Sequence, residues 1–276
     1  MGGRSIHLGG LVFFMLAAAC QRQPNPVTET LETSFDGAQA VDAASRLKHG
    51  ERISWALGCR GCHRENLEGG TFYERYASNL TRDLPKYTDA EIEHVLRIGV
   101  PRDGRELWGM PSEIFQHLSG SDMKALIADL RSLEPAGKPT QPPKPWEQDA
   151  KEMIARGELK TAKATVLQEK AQAPVDLGPK YALGRYLTRV TCAECHGSKL
   201  EGDPERRTGE PPNLIVAGSY TRAEFETLMT KGIPSGGRKL KNPLMGEVAR
   251  ERFSHFTPHE RDEIYAYLKA RAEQPQ

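Results

Sequence analysis

The sequence predicts an all-α protein built from two tandem copies of one small helical domain. The first observation is a repeat, since CRGCHRENLEGG at residues 59–70 returns as CAECHGSKLEGD at residues 192–203. The second is that apolar residues recur with helical spacing, as at positions 92, 95 and 96 of the first copy. The third is that no run of residues alternates convincingly as a strand. A duplicated helical domain accounts for all three observations.

The beginning of the chain has the pattern of an export signal. Residues 1–20 contain an early arginine, an apolar run too short to span a membrane comfortably, and small residues before Cys20. Two routes of processing fit: cleavage after the alanine tract, or a leader that resembles a bacterial lipoprotein signal and leaves Cys20 as the lipid-bearing first residue. We expect the second route, because an unpaired cysteine in an exported protein usually has a reason. Residues 21–44 are polar and are expected to form a flexible tether.

Each copy contains three helices that the sequence defines. One helix precedes each pair of cysteines. The next begins at Thr88 or Thr221, each followed three residues later by a glutamate and, at the end of the helix, by a glycine. A capped helix closes each copy. Insertions between the copies are small, so the two domains are expected at residues 45–134 and 179–276.

The segment between the copies, residues 135–178, is predicted to be a linker in two parts. The first part is rich in proline, which excludes a regular helix and favours an extended, semi-rigid chain. The second part, at about residues 147–172, is polar and contains good helix formers. Two outcomes stay open there: a helix that lies on the domains, or no helix.

Composition limits the classes of function. The chain has 38 basic and 37 acidic residues, so its net charge of +1 gives no overall attraction to nucleic acid or anionic lipid. Hydrophobic residues make up 38% and aromatic residues 7%, which is lean for two independent small cores. Something other than side chains is therefore expected to fill part of each core.

Each repeat contains two cysteines, separated by two residues and followed directly by a histidine. One helical turn with this spacing lets both thiols add to the vinyl groups of a porphyrin while the histidine points at the iron. The expected attachment points and iron ligands are Cys59, Cys62 and His63 in the first copy and Cys192, Cys195 and His196 in the second. On these motifs the sequence resembles the class I c-type cytochromes, and more closely the bacterial di-haem cytochromes c, over about residues 45–134 and 179–272. Two covalently bound c-type haems are the implied cofactors, and they would fill the lean cores.

Three other interpretations of the cysteines compete with haem attachment. A redox disulfide normally lies near a βαβ pattern, and none is seen. A zinc site is disfavoured because 129 residues separate the two cysteine pairs and both histidines would be unexplained. Structural disulfides are common in exported proteins, but a two-residue loop gains little from one. Two motifs in register behind an export signal favour haem over all three.

The resemblance implies a methionine as the second axial ligand of each iron, from a loop well downstream. Met110 and Met245 occupy that position, 47 and 49 residues after the histidine of each motif. Methionine raises the reduction potential and closes the iron to substrate. His117 and His255 occupy matching positions and are rival ligands. His49 has no counterpart in the other copy and is expected to be solvated.

The resemblance also implies residues that support the haem. In this family a proline before an Asn-Leu pair accepts the ring hydrogen bond of the iron-ligating histidine through its carbonyl. Pro212 fits that position, whereas the first copy has Ser78, which leaves the orienting carbonyl of His63 open. Arg105 and Arg238 correspond and are expected to pair with haem propionates. Ordinary exposed arginines are the alternative.

Together these features predict an exported electron carrier rather than an enzyme. We expect a periplasmic, membrane-tethered di-haem cytochrome c that takes electrons from a protein donor, such as a dehydrogenase, and delivers them to a respiratory acceptor through small, transient contacts. No nucleic-acid partner is expected. The first alternative is a di-haem enzyme, either a peroxidase or a sulfur-compound-oxidising cytochrome, with one exchangeable iron site. The second is a sensor or structural module that uses haem only to fold.

Overall fold

A computed structural model describes residues 1–3, 32–72, 75–142, 144–202, 210–237 and 243–274. Helices make up nearly all regular structure in these residues, which confirms the all-α prediction. The first half contains α1 (Ala43–Ala56), α2 (Cys59–Cys62), α3 (Leu80–Asp83), a 3-10 turn (Leu84–Lys86), α4 (Asp89–Ile98), α5 (Ser112–Phe115) and α6 (Gly120–Arg131). The linker contains α7 (Gln148–Ala155) and α8 (Ala162–Glu169). The second half contains α9 (Ala182–Leu187), a π-helix (Thr188–Cys192), α10 (Ala193–His196), α11 (Arg222–Lys231), α12 (Leu244–Glu251), α13 (Pro258–Ala272), and 3-10 turns at Pro179–Tyr181, Leu214–Ser219, Ser235–Gly237 and Phe253–His255.

The paired helices α4 and α11 begin and end where the sequence predicts. Thr88 and Thr221 each accept a hydrogen bond from the backbone three residues on, and the glutamate there bonds back to the threonine N–H. These reciprocal bonds satisfy N–H groups that have no partner inside a helix. Gly99 and Gly232 end the helices in the left-handed conformation, with φ of 72° and 69°.

A short antiparallel hairpin forms the one sheet among the described residues. β1 (Gly70–Phe72) pairs with β2 (Arg75–Ala77), with Thr71 opposite Tyr76. The sequence does not predict these strands, because three residues are too few for an alternating pattern to emerge. The hairpin connects the first repeat motif to the segment that begins α3.

The first and last helices of each half pack closely in the same way. Gly50 of α1 lies against α6, and a Cβ there would overlap the carbonyl oxygen of Ala125. Gly184 of α9 lies against α13, where a Cβ would overlap the carbonyl oxygen of Glu263. A glycine at the equivalent crossing therefore lets the two helices approach in both halves.

The two halves meet along a surface that we call the seam, defined by Phe35, Arg52, Asp122, Tyr186 and Glu260. Arg52 of the first half donates to both carboxylate oxygens of buried Glu260, at 2.7 and 2.9 Å. Tyr186 of the second half donates to Oδ2 of buried Asp122 at 2.7 Å. Asp122 and Glu260 hold the same position, three residues after the helix cap of α6 and α13. Equivalent buried carboxylates thus hold the halves together from both sides.

The prediction of a flexible tether is wrong for residues 32–42. Residues 32–42 pack onto the seam, where Phe35 is 2% exposed and stacks on Phe256 with ring centroids 5.9 Å apart. The backbone N–H of Phe35 donates to Asp122, and that of Asp36 donates to Glu260. Burial of one aromatic ring and two strong hydrogen bonds offset the entropy of ordering this polar segment. The predicted leader and Cys20 lie outside the described residues. No helix in the described ranges is long and apolar enough to cross a membrane.

The linker lies on the first half rather than hanging free. The side-chain amide of buried Asn79 donates to the carbonyls of Ala136 and Lys138, both at 2.8 Å. Further on, the predicted helical part forms two short helices, α7 and α8, and α8 packs against α5. Of the two outcomes left open by the sequence, the structure therefore has the helix that lies on a domain.

Candidate haem-binding sites

The first cysteine motif lies directly after a break in the helix. α1 ends at Ala56, Gly58 takes the left-handed conformation with φ of 81°, and the single turn α2 then carries Cys59 and Cys62. His63 closes this turn, and its N–H donates to the carbonyl of Cys59 at 2.9 Å. The two thiols and the imidazole therefore come from one helical turn and the residue that caps it.

In the second motif the cysteines and the histidine also come from one helical turn, but the helix before them is not interrupted. A π-helix over Thr188–Cys192 continues α9 and leads into α10, which ends at His196. A π-helical turn inserts one extra residue per turn and commonly marks a functional site. Here it ends at the first attachment cysteine, Cys192.

The repeated Leu-Glu-Gly of each motif builds the loop that follows the histidine. Leu67 and Leu200 are fully buried and have positive φ, 59° and 62°, which is uncommon for leucine. The N–H groups of Gly69 and Gly202 each donate at 2.9 Å to the carbonyl of the motif histidine. A Cβ at Gly69 would lie 2.5 Å from the carbonyl oxygen of Ala77, and one at Gly202 would overlap the matching backbone. The glycine brings the following chain segment against the histidine.

That close approach gives each histidine a backbone acceptor. Nδ1 of His63 lies 2.8 Å from the carbonyl oxygen of Ser78, and Nδ1 of His196 lies 2.8 Å from that of Pro212. A carbonyl can only accept, so Nδ1 carries the proton and Nε2 keeps its lone pair. Burial lowers the pKa of both rings, although the hydrogen bond to the carbonyl acts in the opposite direction. The serine in the first copy, which left the orienting carbonyl open, therefore makes the same contact as the proline.

The chemistry of the four motif cysteines distinguishes them from redox thiols. Burial raises the pKa of the Cys59 thiol to about 12 and that of Cys62 and Cys192 to about 11. Reactive redox cysteines have a lowered pKa instead. Among the described residues, the four motif cysteines are free of disulfide bonds. The set of neutral thiols and neutral imidazoles with a free Nε2 fits a covalently attached haem.

The two candidate methionine ligands lie in different local structures. Met110 follows Gly109, which has a positive φ of 75°, and lies in the loop before α5. Met245 is the second residue of α12 rather than part of a loop. Both are partly buried and pack against the core together with Cys59 and Cys192. Met110 therefore lies in a loop, as the family's ligand does, whereas Met245 lies in the first turn of a helix.

The two histidines considered as rival ligands lie in different surroundings. The His255 ring stacks on Trp55 with centroids 5.0 Å apart. His117 Nε2 is buried without a hydrogen bond to the described residues, and burial, with Arg189 and Arg97 adding, lowers its pKa to about 4. His255 therefore contacts the first half.

The expectation that His49 is solvated is wrong. The ring is 5% exposed, and its Nε2 lies 2.9 Å from Oδ1 of Asp122. Asp122 belongs to α6 and is the partner of His49. Comparison of the two repeats could not reveal this pair. A histidine without a counterpart can still be a structural one.

The structure describes one of the two arginines that are expected to support the haems. Arg105 is exposed and forms an ion pair with Asp103 two residues away, and its pairing with a haem propionate stays a prediction. Arg238 lies outside the described residues. Trp108 packs edge-on against Trp146 of the linker, with ring centroids 5.3 Å apart.

Two charged residues that the sequence does not single out form an ion pair beside the motifs. Arg252, directly after α12, donates to the carboxylate of Glu194 at 2.7 Å. Glu194 is one of the two residues between Cys192 and Cys195. Arg252 takes the place of Ile114 in the repeat, so comparison of the two copies could not have revealed it.

Comparison with known proteins agrees with this geometry. Residues 181–272 match the family described as Cytochrome c. The chain is 26% identical over 263 residues to a diheme cytochrome c-type protein of Cereibacter sphaeroides, covering 80% of this chain and 84% of the relative.

Two further relatives are named as parts of dehydrogenases. The chain is 23% identical over 274 residues to the cytochrome c subunit of a quinone alcohol dehydrogenase of Gluconacetobacter polyoxogenes, covering 84% of this chain. It is 30% identical over 109 residues, 34% of this chain, to a nicotinate dehydrogenase subunit of Pseudomonas putida. The chain spans 58% of the length of the first relative and 9% of the second.

Proposed function

Since the chain is a c-type cytochrome, with a cytochrome c domain at residues 181–272, we propose that it carries two covalently bound haems and transfers electrons between protein partners. The observation that carries this proposal is the matched pair of histidines. In each half a backbone carbonyl holds Nδ1–H and leaves Nε2 free beside two neutral thiols. One such arrangement supports one haem, and its repetition in the other half supports two.

The residues of each half would share the work of holding a haem. Cys59 and Cys62, or Cys192 and Cys195, would form the thioether links. The adjacent histidine would bind the iron from one side, in the orientation that its carbonyl partner sets. When bound, each haem supplies a one-electron couple.

Met110 and Met245 are the residues proposed to supply the second ligand of each iron. A methionine at this position raises the reduction potential and leaves no coordination position for a substrate. The chain would then exclude water from the iron and exchange only electrons. This distinguishes the proposed carrier from the alternative, a di-haem enzyme with one exchangeable site.

The partners and location are part of the proposal. The names of two relatives support a dehydrogenase as the electron donor, and a respiratory protein is the proposed acceptor. We further propose export to the periplasm, with Cys20 as the point of lipid attachment. These proposals rest on the leader pattern and on the relatives rather than on the site.

Mass spectrometry of the intact, mature protein tests the number of haems. We expect two added haem groups in the wild-type protein, and one in each of the double variants C59A/C62A and C192A/C195A, because each loses one attachment site. C20A is the matched control and should retain both groups. Fewer than two groups in the wild-type protein would refute the proposal.

Absorption spectroscopy of the ferric protein tests the axial ligands. We expect Met110→Ala and Met245→Ala each to remove about half of the weak red band that a methionine–iron bond gives, because one of two such bonds is lost. Met153→Ala is the control, since this side chain is 39% exposed and lies in the linker. A band that both ligand variants leave intact would refute the assignment and favour the di-haem enzyme.

A further inference from the structure

Arg252 occupies a buried position between the two attachment motifs. Its side chain is 13% exposed, and its guanidinium donates to Glu194 Oε2 at 2.7 Å and to the carbonyl of Leu57 at 3.1 Å. Leu57 caps α1 directly before the first motif, whereas Glu194 lies inside the second. One side chain therefore contacts the segment just before the first motif and the middle of the second motif.

The first motif is built around this guanidinium. A Cβ at Gly58 would lie 2.6 Å from Arg252 Cζ, so only a glycine leaves room for the guanidinium at the helix break. Nε of Arg252 also approaches the carbonyl of Ala56 at 3.4 Å. The last carbonyls of a helix lack partners inside it and carry partial negative charge, which a cation satisfies.

The charge of Arg252 reaches the attachment cysteines of both halves. Burial raises the pKa of the Cys59 and Cys192 thiols, and the positive charge of Arg252 opposes that rise at each of them. Asp129 and Arg60 also act at Cys59, whereas Arg252 acts at both Cys59 and Cys192. A buried charge acts over a longer range than an exposed one, because water screens it less.

We propose that Arg252 is a positioning residue that ties the two attachment motifs together and raises the reduction potentials of both haems. The inference rests on the proposed function, since it requires a haem at each motif. A buried cation stabilises the reduced state, which carries one positive charge fewer than the oxidised state. Glu194 opposes this effect at both motifs, because its carboxylate stabilises the oxidised state. The pair therefore predicts shifts of opposite sign.

Spectroelectrochemical titration of the intact holoprotein tests the inference. We expect Arg252→Gln to lower both midpoint potentials, because Glu194 then remains without its cation. Glu194→Gln is expected to raise both, and the double variant to lie between the two single variants. Arg250→Gln is the matched control, since it removes the same charge from an exposed position of α12 and should leave both potentials unchanged.

Three results would overturn the inference: unchanged potentials in both single variants, a shift at one haem only, or the same shift in the Arg250 control. If Arg252→Gln fails to fold, Glu194→Gln alone decides, by the presence or absence of a rise at both haems. The haem count of each sample is measured first by mass spectrometry. A wild-type protein with fewer than two haems refutes the proposed function, whereas two haems with unmoved potentials refute only the role of Arg252.

Discussion

The two halves reach one arrangement of cysteines and histidine along different backbone routes. In the first half the helix stops, and Gly58 turns the chain before Cys59. In the second half the helix continues through a π-helical turn into Cys192. The residue that fills the space at the break, Arg252, comes from the second half. The break is therefore part of the contact between the halves. An attachment motif on one helical turn can follow either a helix break or a continuous helix.

The candidate methionine ligands differ in what supports them. The linker fixes the segment before Met110, since the N–H of Ala162 donates to the carbonyl of Leu107 at 2.8 Å and Thr161 pairs with Trp108 as a β-bridge. Met245 lies inside α12 and has its support from the helix itself. The first site thus depends on a segment outside its own half.

We expect the largest effect from substitutions of the glycines that bring a carbonyl to the histidine in both halves. Gly69→Ala and Gly202→Ala each place a Cβ against backbone at positive φ, so we expect a loss of about 3 kcal/mol in the free energy of unfolding. We also expect the altered half to lose its haem, because the carbonyl can no longer reach the histidine. Thermal unfolding and haem content measure both effects.

Gly104→Ala is the control for this prediction. Gly104 has φ of 73° but nothing within 4 Å of its Cβ position, so only the conformational cost of about 1 kcal/mol remains. Equal losses in all three variants would show that the close approach to the carbonyl segment has no special role.

The next prediction concerns a glutamate that is partly buried in the first half and exposed in the second. Burial raises the pKa of Glu113 on α5 to about 7, with Glu194 and Glu169 adding, whereas the equivalent Glu251 is exposed. The folded protein therefore binds this proton more tightly than the unfolded chain, whose value is near 4.5, and stability falls as the pH rises from about 4.5 to 7. Glu113→Gln should be more stable than the wild type by about 1 kcal/mol at pH 8, because the carboxyl is only half-buried.

Chemical unfolding at several pH values measures this difference. The advantage of Glu113→Gln should shrink as the pH falls and vanish well below pH 4.5, where the wild-type carboxyl is neutral in both states. Glu251→Gln, at the equivalent exposed position, is the matched control. A variant that is equally stable at pH 4 and pH 8 relative to the wild type would contradict the assignment.

The smallest effect concerns the support of Met110. Ala162→Pro removes the N–H that bonds Leu107 but suits the first position of helix α8, so we expect a loss of less than about 1 kcal/mol. The red methionine–iron band of the first haem should weaken on mild heating before that of the second. Gln148→Pro, at the first position of α7, is the control. Parallel weakening of both haems would show that the linker does not support this ligand.

Local features were predicted well from the sequence because their causes are local. The caps at Thr88 and Thr221 depend on residues three positions apart, and the attachment motif depends on one helical turn. The packing of Phe35, the burial of His49 and the position of Arg252 depend on residues 58 to more than 200 positions away. A pattern within a single sequence carries no signal for such contacts, and the repeat comparison hides them because the two halves face each other with different side chains.

The acceptors of the two imidazoles belong to the main chain, and this makes the arrangement robust to mutation. Every amino acid has a carbonyl, so substitutions at Ser78 or Pro212 would change the side chain without removing the acceptor. Selection can therefore relax at these two positions while it stays strict at the glycines that bring them near. Sequence divergence between the two halves is expected to accumulate at the first kind of position and to spare the second.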